Sequence, residues 1–254
     1  MILAINIGNS NIRFAIGENH MDLTSWTINT KPFKTTDEFY FIFKSMYEQY
    51  ETKMKAITGI VIGSVVPHQT GIIAKALERF HPPKIMIVDR TTSSNVVHHS
   101  NQMGTDLYAN AVAGHELYKG SKLIIDFGTA LTVTGISEAG EVLGVIIAPG
   151  VITALKALIG NTAQLPDIEL KEPERVLGQD TVTCMQSGMV YGYLGMVEGF
   201  IDRAKKELDT EATVISTGGL GHIFQPLTDK IDTDDKLHTM RGLCLLYELN
   251  NNKS

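Results

Sequence analysis

An internal repeat constrains this chain more than any other feature of its sequence. At an offset of 120 (123 − 3), Leu3–Ile16, LAINIGNSNIRFAI, overlays Leu123–Ile136, LIIDFGTALTVTGI. Asn6 falls on Asp126, Gly8 on Gly128 and Asn9 on Thr129. Each copy has an apolar run, a glycine-centred turn with short polar residues, then β-branched and apolar residues in rough alternation. That is the pattern of a β-hairpin. A third strand follows each copy, across Gly17–His20 and across Glu138–Glu141. Any two glycine-turn hairpins share some likeness, but two copies that each open a half of the chain point to duplication.

The remainder of each half alternates helices and strands. Thr35 and Glu38 form a capping box ahead of Phe39, Ile42, Phe43, Met46 and Tyr50, which recur at helical spacing. Strands are expected over Ala56–Val66, Lys84–Asp89 and Ala212–Ser216. Helices are expected over Ile72–Phe80, Gly104–Lys119, Pro149–Ile159, Thr181–Leu208 and Asp235–Asn250. Leu165–Gly178, with Pro166 and Pro173, reads as a long irregular loop. Strands alternating with helices define an α/β class. The expected architecture is two duplicated α/β domains, 1–118 and 119–254, packed directly against one another with a cleft between them.

Composition narrows the function. The 254 residues are 43% hydrophobic, enough for a sizeable core. Net charge is −6 with no basic run, and nucleic-acid binding needs clustered Lys and Arg, so no nucleic-acid partner is expected. Cys184 and Cys244 sit inside apolar patterns and read as reduced core residues. The opening residues lack a positive region, and the apolar window Val142–Ile159 is broken by Pro149, Gly150 and Lys156. The expectation is a cytoplasmic protein with no membrane partner.

Several segments carry candidate chemistry. Asn6-Ile7-Gly8-Asn9-Ser10-Asn11 sets a glycine and short polar side chains directly after a strand, which suits a phosphate cradle or an ordinary tight hairpin. Asp126-Phe127-Gly128-Thr129-Ala130 repeats the device with a carboxylate at its head. A carboxylate beside phosphates serves a cation, since like charges repel. Asp106 stands at a glycine-marked helix start, where it either complements the helix dipole or acts as a general base in phosphoryl transfer. Thr217-Gly218-Gly219-Leu220-Gly221 follows a strand and either admits a nucleotide ring or makes a routine turn. Gly188, Gly192, Gly195 and Gly199 lie on one face of the helix over 181–208, inviting close approach by an intrachain neighbour or by a second copy of the chain. The adjacent pair His98 and His99 lacks ligand spacing and reads as solvated loop.

Taken together these segments resemble the type III pantothenate kinases, members of the acetate and sugar kinase, heat-shock chaperone and actin superfamily. The resemblance runs nearly end to end, through Asn6–Asn11, Gly63-Ser-Val-Val-Pro67, Gly104-Thr-Asp106, Ile125–Ala130, Ile147–Gly150, Ala163–Pro166, Gly178–Thr181, Met185–Gly188, Thr217–Gly219 and Arg241–Leu243. It implies two actin-like, ribonuclease-H-like domains and ATP-dependent phosphorylation of pantothenate, the first step of coenzyme A biosynthesis. By position it implies ATP phosphates at Asn6, Ile7, Gly8, Asn9, Ser10, Asn11, Ile12 and Arg13 and at Thr129. It further implies Mg2+, a monovalent cation (potassium or ammonium) at Asp126, and Asp106 as catalytic base. The acceptor would lie at Val97, Gly104, Thr105, Asp106 and Leu107, with Thr181 offered across a homodimer.

The sequence departs from that family at three positions. The family opens its first turn with Asp, where this chain has Asn6. It follows Gly-x-Asp with Arg, where this chain has Leu107, and it carries Tyr seven residues before that Gly, where this chain has Val97. Asn is a weaker ligand than Asp for a hard cation, and Leu cannot grip a carboxylate. Losing one charge-assisted hydrogen bond costs about 1.5–3 kcal/mol, roughly 10- to 100-fold in affinity. Two alternatives therefore stand beside pantothenate phosphorylation: a kinase of another small hydroxyl compound, and a nucleotide-binding regulatory protein with little catalysis.

Overall fold

The structure, a computed structural model, describes residues 1–50, 54–89, 91–100, 102–208 and 211–251. Five strands build a first sheet: β1 (Ile2–Ile7), β2 (Asn11–Gly17), β3 (Leu23–Asn29), β4 (Gly59–Ser64) and β5 (Ile85–Ile87), in spatial order β3-β2-β1-β4-β5. A second sheet holds β6 (Ser121–Phe127), β7 (Ala130–Ile136), β8 (Val142–Pro149), β9 (Ala212–Gly218) and β10 (Thr233–Asp234), in order β10-β9-β6-β7-β8. The two orders are the same when strands are numbered within each copy. β1 runs antiparallel to β2 and parallel to β4, and β6 repeats this with β7 and β9. The duplication seen in fourteen-residue segments thus extends to whole sheets.

The hairpins differ in one respect that a single offset hides. Ile7 pairs with Ile12 across a turn of four residues, 8–11, whereas Phe127 pairs with Leu131 across three, 128–130. Equivalence therefore slips by one beyond the turn, and buried Ile12 and Phe14 correspond to buried Leu131 and Val133.

The helices follow from local chemistry. α1 (Thr36–Gln49) carries the expected capping box: Glu38 N donates to Thr35 Oγ1 at 3.3 Å, and Thr35 N donates to Glu38 Oε2 at 2.7 Å. Its Phe39, Phe43 and Met46 are buried. α2 (Pro67–Glu78) starts five residues ahead of the expected Ile72 (72 − 67), with Pro67 in its first turn, where a missing N–H breaks no helical bond. α3 (Thr105–Leu117) is buried from Tyr108 to Gly114. α4 (Val151–Gly160) and α5 (Thr181–Leu208) follow β8. α6 (Gly221–Phe224) is four residues, and α7 (His238–Asn251) closes the described chain.

Two compact units result: Met1–Leu117 together with the segment from Leu237 onward, and Tyr118–Lys236. The second unit is therefore shorter than 119–254, because α7 packs with the first; positions 252–254 lie outside the described residues. Gly242 makes this possible, since a Cβ there would collide with the Ala109 carbonyl on α3. His238 Nε2 lies 3.1 Å from Asn110 O, and Thr239 Oγ1 donates to Asn110 Oδ1 at 2.7 Å. Each unit has its own core. In the first, Leu3, Ile5, Ile7 and Phe14 pack with Phe39, Phe43 and Ile73; in the second, Leu123, Ile125 and Phe127 pack with Tyr193, Val197 and Phe224. No helix among the described residues is long and apolar enough to cross a membrane.

The cysteines divide. Cys244 on α7 is buried, and desolvation pushes its thiol up to about 12. Cys184 is exposed on the first turns of α5, so it is not a core residue: the apolar pattern around it belongs to an outward helix face.

Candidate active site

In the first unit, the carboxyl ends of β1 and β4 meet the start of α3. Asn6, next to last in β1, lies between Arg13 on β2 and Gly63 on β4 in the sheet register. A Cβ on Gly63 would stand 3.6 Å from Thr105 Oγ1, and Val65 N donates to Ile7 O at 3.0 Å. Gly104 leaves room for the neighbouring carboxylate, because a Cβ there would lie 2.5 Å from Asp106 Oδ1 and 3.4 Å from Val65 Cγ1. Asp106 Oδ1 accepts from Leu107 N at 2.8 Å. Residues 100 positions apart in the chain (106 − 6) are thereby gathered in one region of the first unit. Thr105 Oγ1 is buried there without a hydrogen-bond partner among the described residues.

The first turn itself is closed by Gly8 N donating to Asn11 O at 2.9 Å, and Asn9, Ser10 and Asn11 are exposed. Ile7 and Ile12 anchor its base in the core. Sequence reasoning missed the residue that holds this turn. Thr30, fully buried just beyond β3, donates its Oγ1 to Gly8 O at 2.7 Å and its N to Ser10 O at 2.9 Å.

Beside Asp106, Leu107 is half-buried on α3, and Val97 is exposed. The His98 ring stands edge-on to Tyr108, 5.2 Å between centroids, which lays the 97–98 segment against the first turns of α3. His98 is thus a packed residue, while His99 is exposed. Tyr108 OH donates to Thr92 O at 2.7 Å and lies 2.8 Å from Ser94 Oγ; burial pushes its phenol up.

In the second unit, Asp126 lies between Thr132 on β7 and Thr217 on β9. Gly128 N donates to Ala130 O at 3.1 Å, and Thr129 is exposed at the tip. Gly150 N donates to Thr129 O at 3.1 Å, as Thr30 N does to Ser10 O, and Thr153 Oγ1 adds a bond to Thr129 O at 2.7 Å. A Cβ on Gly150 would collide with the Gly128 and Thr129 carbonyl oxygens. Thr30 and Gly150 stand at the same place in the two sheets, directly after the third strand of each copy.

Thr181 is exposed at the first position of α5. Asp180 precedes it and accepts from Thr183 N at 2.9 Å, a bond that holds its carboxyl below the usual carboxylate range. Among the described residues, a Cβ on Gly188, Gly192 or Gly195 would meet nothing within 4 Å, so none of them fills that part of the glycine face; at Gly199 it would lie 3.0 Å from Arg203 Nη1.

The two sheets, each with a hairpin, a parallel neighbour and a turn braced from beyond its third strand, define an actin-like two-domain α/β protein. A solved structure shares this fold: the activator of 2-hydroxyisocaproyl-CoA dehydratase from Clostridium difficile, at a TM-score of 0.52 and 13% identity, covering 100% of this chain and 98% of that one. Sequence goes further than fold. The chain belongs to the type III pantothenate kinase family, whose family model matches residues 2–203. A type III pantothenate kinase of Moorella thermoacetica is 38% identical over 253 residues, covering 98% of this chain and 100% of the relative. One from Agathobacter rectalis is 37% identical over 257 residues, covering 100% of this chain and 99% of the relative.

Proposed function

We propose that this chain transfers the γ-phosphoryl group of ATP to the hydroxyl of pantothenate, the first step of coenzyme A biosynthesis. The observation that carries the reading is the gathering of Asn6, Gly63, Thr105 and Asp106 in the first unit. Asp106 accepts the proton of the acceptor hydroxyl as its oxygen attacks phosphorus. Gly8, Asn9, Ser10 and Asn11, framed by Asn6, Ile7, Ile12 and Arg13, hold phosphate oxygens, and Thr129 adds a hydroxyl. Val97, Gly104, Thr105 and Leu107 border the acceptor.

The residues around Asp126 fit a monovalent cation, potassium or ammonium. A Cβ on Gly218 would lie 2.6 Å from Asp126 Oδ1, and one on Gly128 would lie 3.4 Å from it, so two glycines leave the carboxylate uncrowded. The cation would offset negative charge that builds on the phosphates. Asn6 presents a neutral amide where the family has a carboxylate, so Mg2+ relies there on the phosphates of ATP rather than on the protein.

We further propose a cytoplasmic homodimer without a nucleic-acid partner. The open glycine face of α5 supports it, as does the apolar face of the second unit, where Leu143, Val145 and Ile147 on edge strand β8 and Ile152 and Leu158 on α4 are all exposed. Thr181 would then reach the acceptor of the partner subunit.

Leu107 and Val97, an aliphatic pair where the family has Arg and Tyr, favour a second reading, a kinase of a less charged hydroxyl compound. Release of ADP with and without pantothenate separates the two. Pantothenate-dependent release supports the first reading, and release only with an uncharged alcohol analogue supports the second. No release with any acceptor leaves the non-catalytic role.

A further inference from the structure

We infer that Thr217 is a protein ligand of the monovalent cation proposed at Asp126, through its hydroxyl oxygen; the inference rests on that reading. Thr217 is fully buried, and its Oγ1 has no hydrogen-bond partner among the described residues. A buried hydroxyl left unpaired is costly, and almost all such groups in folded proteins are satisfied. Packing gives no reason for it, because Ile215, two residues earlier on the same strand, is equally buried and wholly apolar. The hydroxyl therefore points to an absent partner.

The register says where that partner sits. Thr217 is the in-register neighbour of Asp126 across the parallel β6–β9 pair, and such neighbours share one face of a sheet. Thr132 flanks Asp126 on the other side, across β7. Gly218, the next and last residue of β9, has a φ of +94° that suits glycine, and its missing Cβ opens the space beside Asp126 Oδ1 and Phe127 O. One carboxylate, a neighbouring hydroxyl and a nearby carbonyl form an oxygen donor set carrying a single negative charge. That set neutralises one potassium or ammonium ion. It is poorly matched to Mg2+, which demands near-ideal octahedral oxygen geometry.

The test is thermal unfolding of the full chain with ATP, titrating potassium chloride against choline chloride at constant ionic strength. An ion bound only by the folded state stabilises it by RT ln(1 + [K+]/Kd), so fitting the midpoint against potassium yields the half-saturating concentration. Wild type is expected to rise with potassium, and Asp126→Asn to lose the response. Thr217→Val, with Thr217→Ala as a second deletion of the hydroxyl, is expected to raise the half-saturating potassium concentration about tenfold, while Thr217→Ser stays within roughly twofold of wild type. Without potassium, Thr217→Val should unfold no earlier than wild type, since an orphan hydroxyl has gone. A wild-type potassium response in both hydroxyl-deleted variants, with Asp126→Asn insensitive, overturns the role of Thr217 alone. No potassium response in wild type overturns the Asp126 site and this inference with it.

Discussion

Arg13–Asn6–Gly63 and Thr132–Asp126–Thr217 occupy the same three places in the two sheets, side by side across the second, first and fourth strands of each copy. The first row carries a cation, a neutral amide and no side chain. The second carries a carboxylate between two hydroxyls. The scaffolds beneath them share one bracing bond: the carbonyl near each turn tip, Ser10 or Thr129, accepts from the backbone N–H of Thr30 or Gly150. Duplication has therefore kept the bracing of the turns while the charge at their heads has diverged. A cationic row suits phosphate oxygens and an anionic row suits a cation. Conserved backbone bonds with inverted electrostatics are what a division of labour between two copies requires.

The largest break expected in this comparison is at Asp106, the proposed base, which lies in the first unit. Asp106→Asn should lower turnover by at least about 100-fold while ATP affinity stays near wild type, as steady-state kinetics alongside calorimetric titration would show. Next comes the bracing of the second turn. Gly150→Ala drives a methyl into two carbonyl oxygens and should cost about 2–3 kcal/mol, read as a lowered denaturation midpoint. Thr30→Val tests the first turn, where a buried threonine does the equivalent work. It strips Gly8 O of its side-chain donor, for an expected loss of about 1–2 kcal/mol and a raised KM for ATP. Its counterpart Thr153→Val removes a more exposed bond and should cost only about 0.5 kcal/mol, because water replaces the donor. The smallest effect is expected from Asn6→Asp, which gives the first row the head of the second: turnover should rise several-fold at limiting Mg2+ and little at saturation, seen in initial rates across a magnesium series.

The sequence showed the parts that rest on local chemistry. The hairpins followed from a glycine turn between alternating runs, and α1 from Thr35 and Glu38. The positions of the two turns and of Asp106, just after a strand and in the first turn of a helix, were legible because glycine and short polar residues mark turns and acidic residues favour helix starts. What escaped depends on distant partners. α7 joins the first unit because Gly242 meets Ala109 and Thr239 meets Asn110, and neither half of those pairs signals the other. The slip between the hairpins is invisible to one fixed offset, since Ile16 and Ile136 still align as letters although Ile16 pairs with Leu3 and Ile136 with Lys122. Thr30 carries no local motif, and its part in the first turn rests on two bonds to residues far from it in the chain. Pro67 was a readable helix start that the apolar spacing alone placed too late. Cys184 was misread because an apolar pattern on a helix does not say which face is covered.

The measurement that bears most directly on the division of labour is calorimetric titration of ATP into Arg13→Thr, which gives the first row the flank of the second. Arg13→Thr should raise the Kd for ATP about tenfold or more, through loss of a charge-assisted phosphate contact, and leave the potassium dependence of the thermal midpoint as in wild type. An unchanged Kd for ATP, or a potassium response lost along with Arg13, would contradict the assignment of phosphate to the first row and cation to the second.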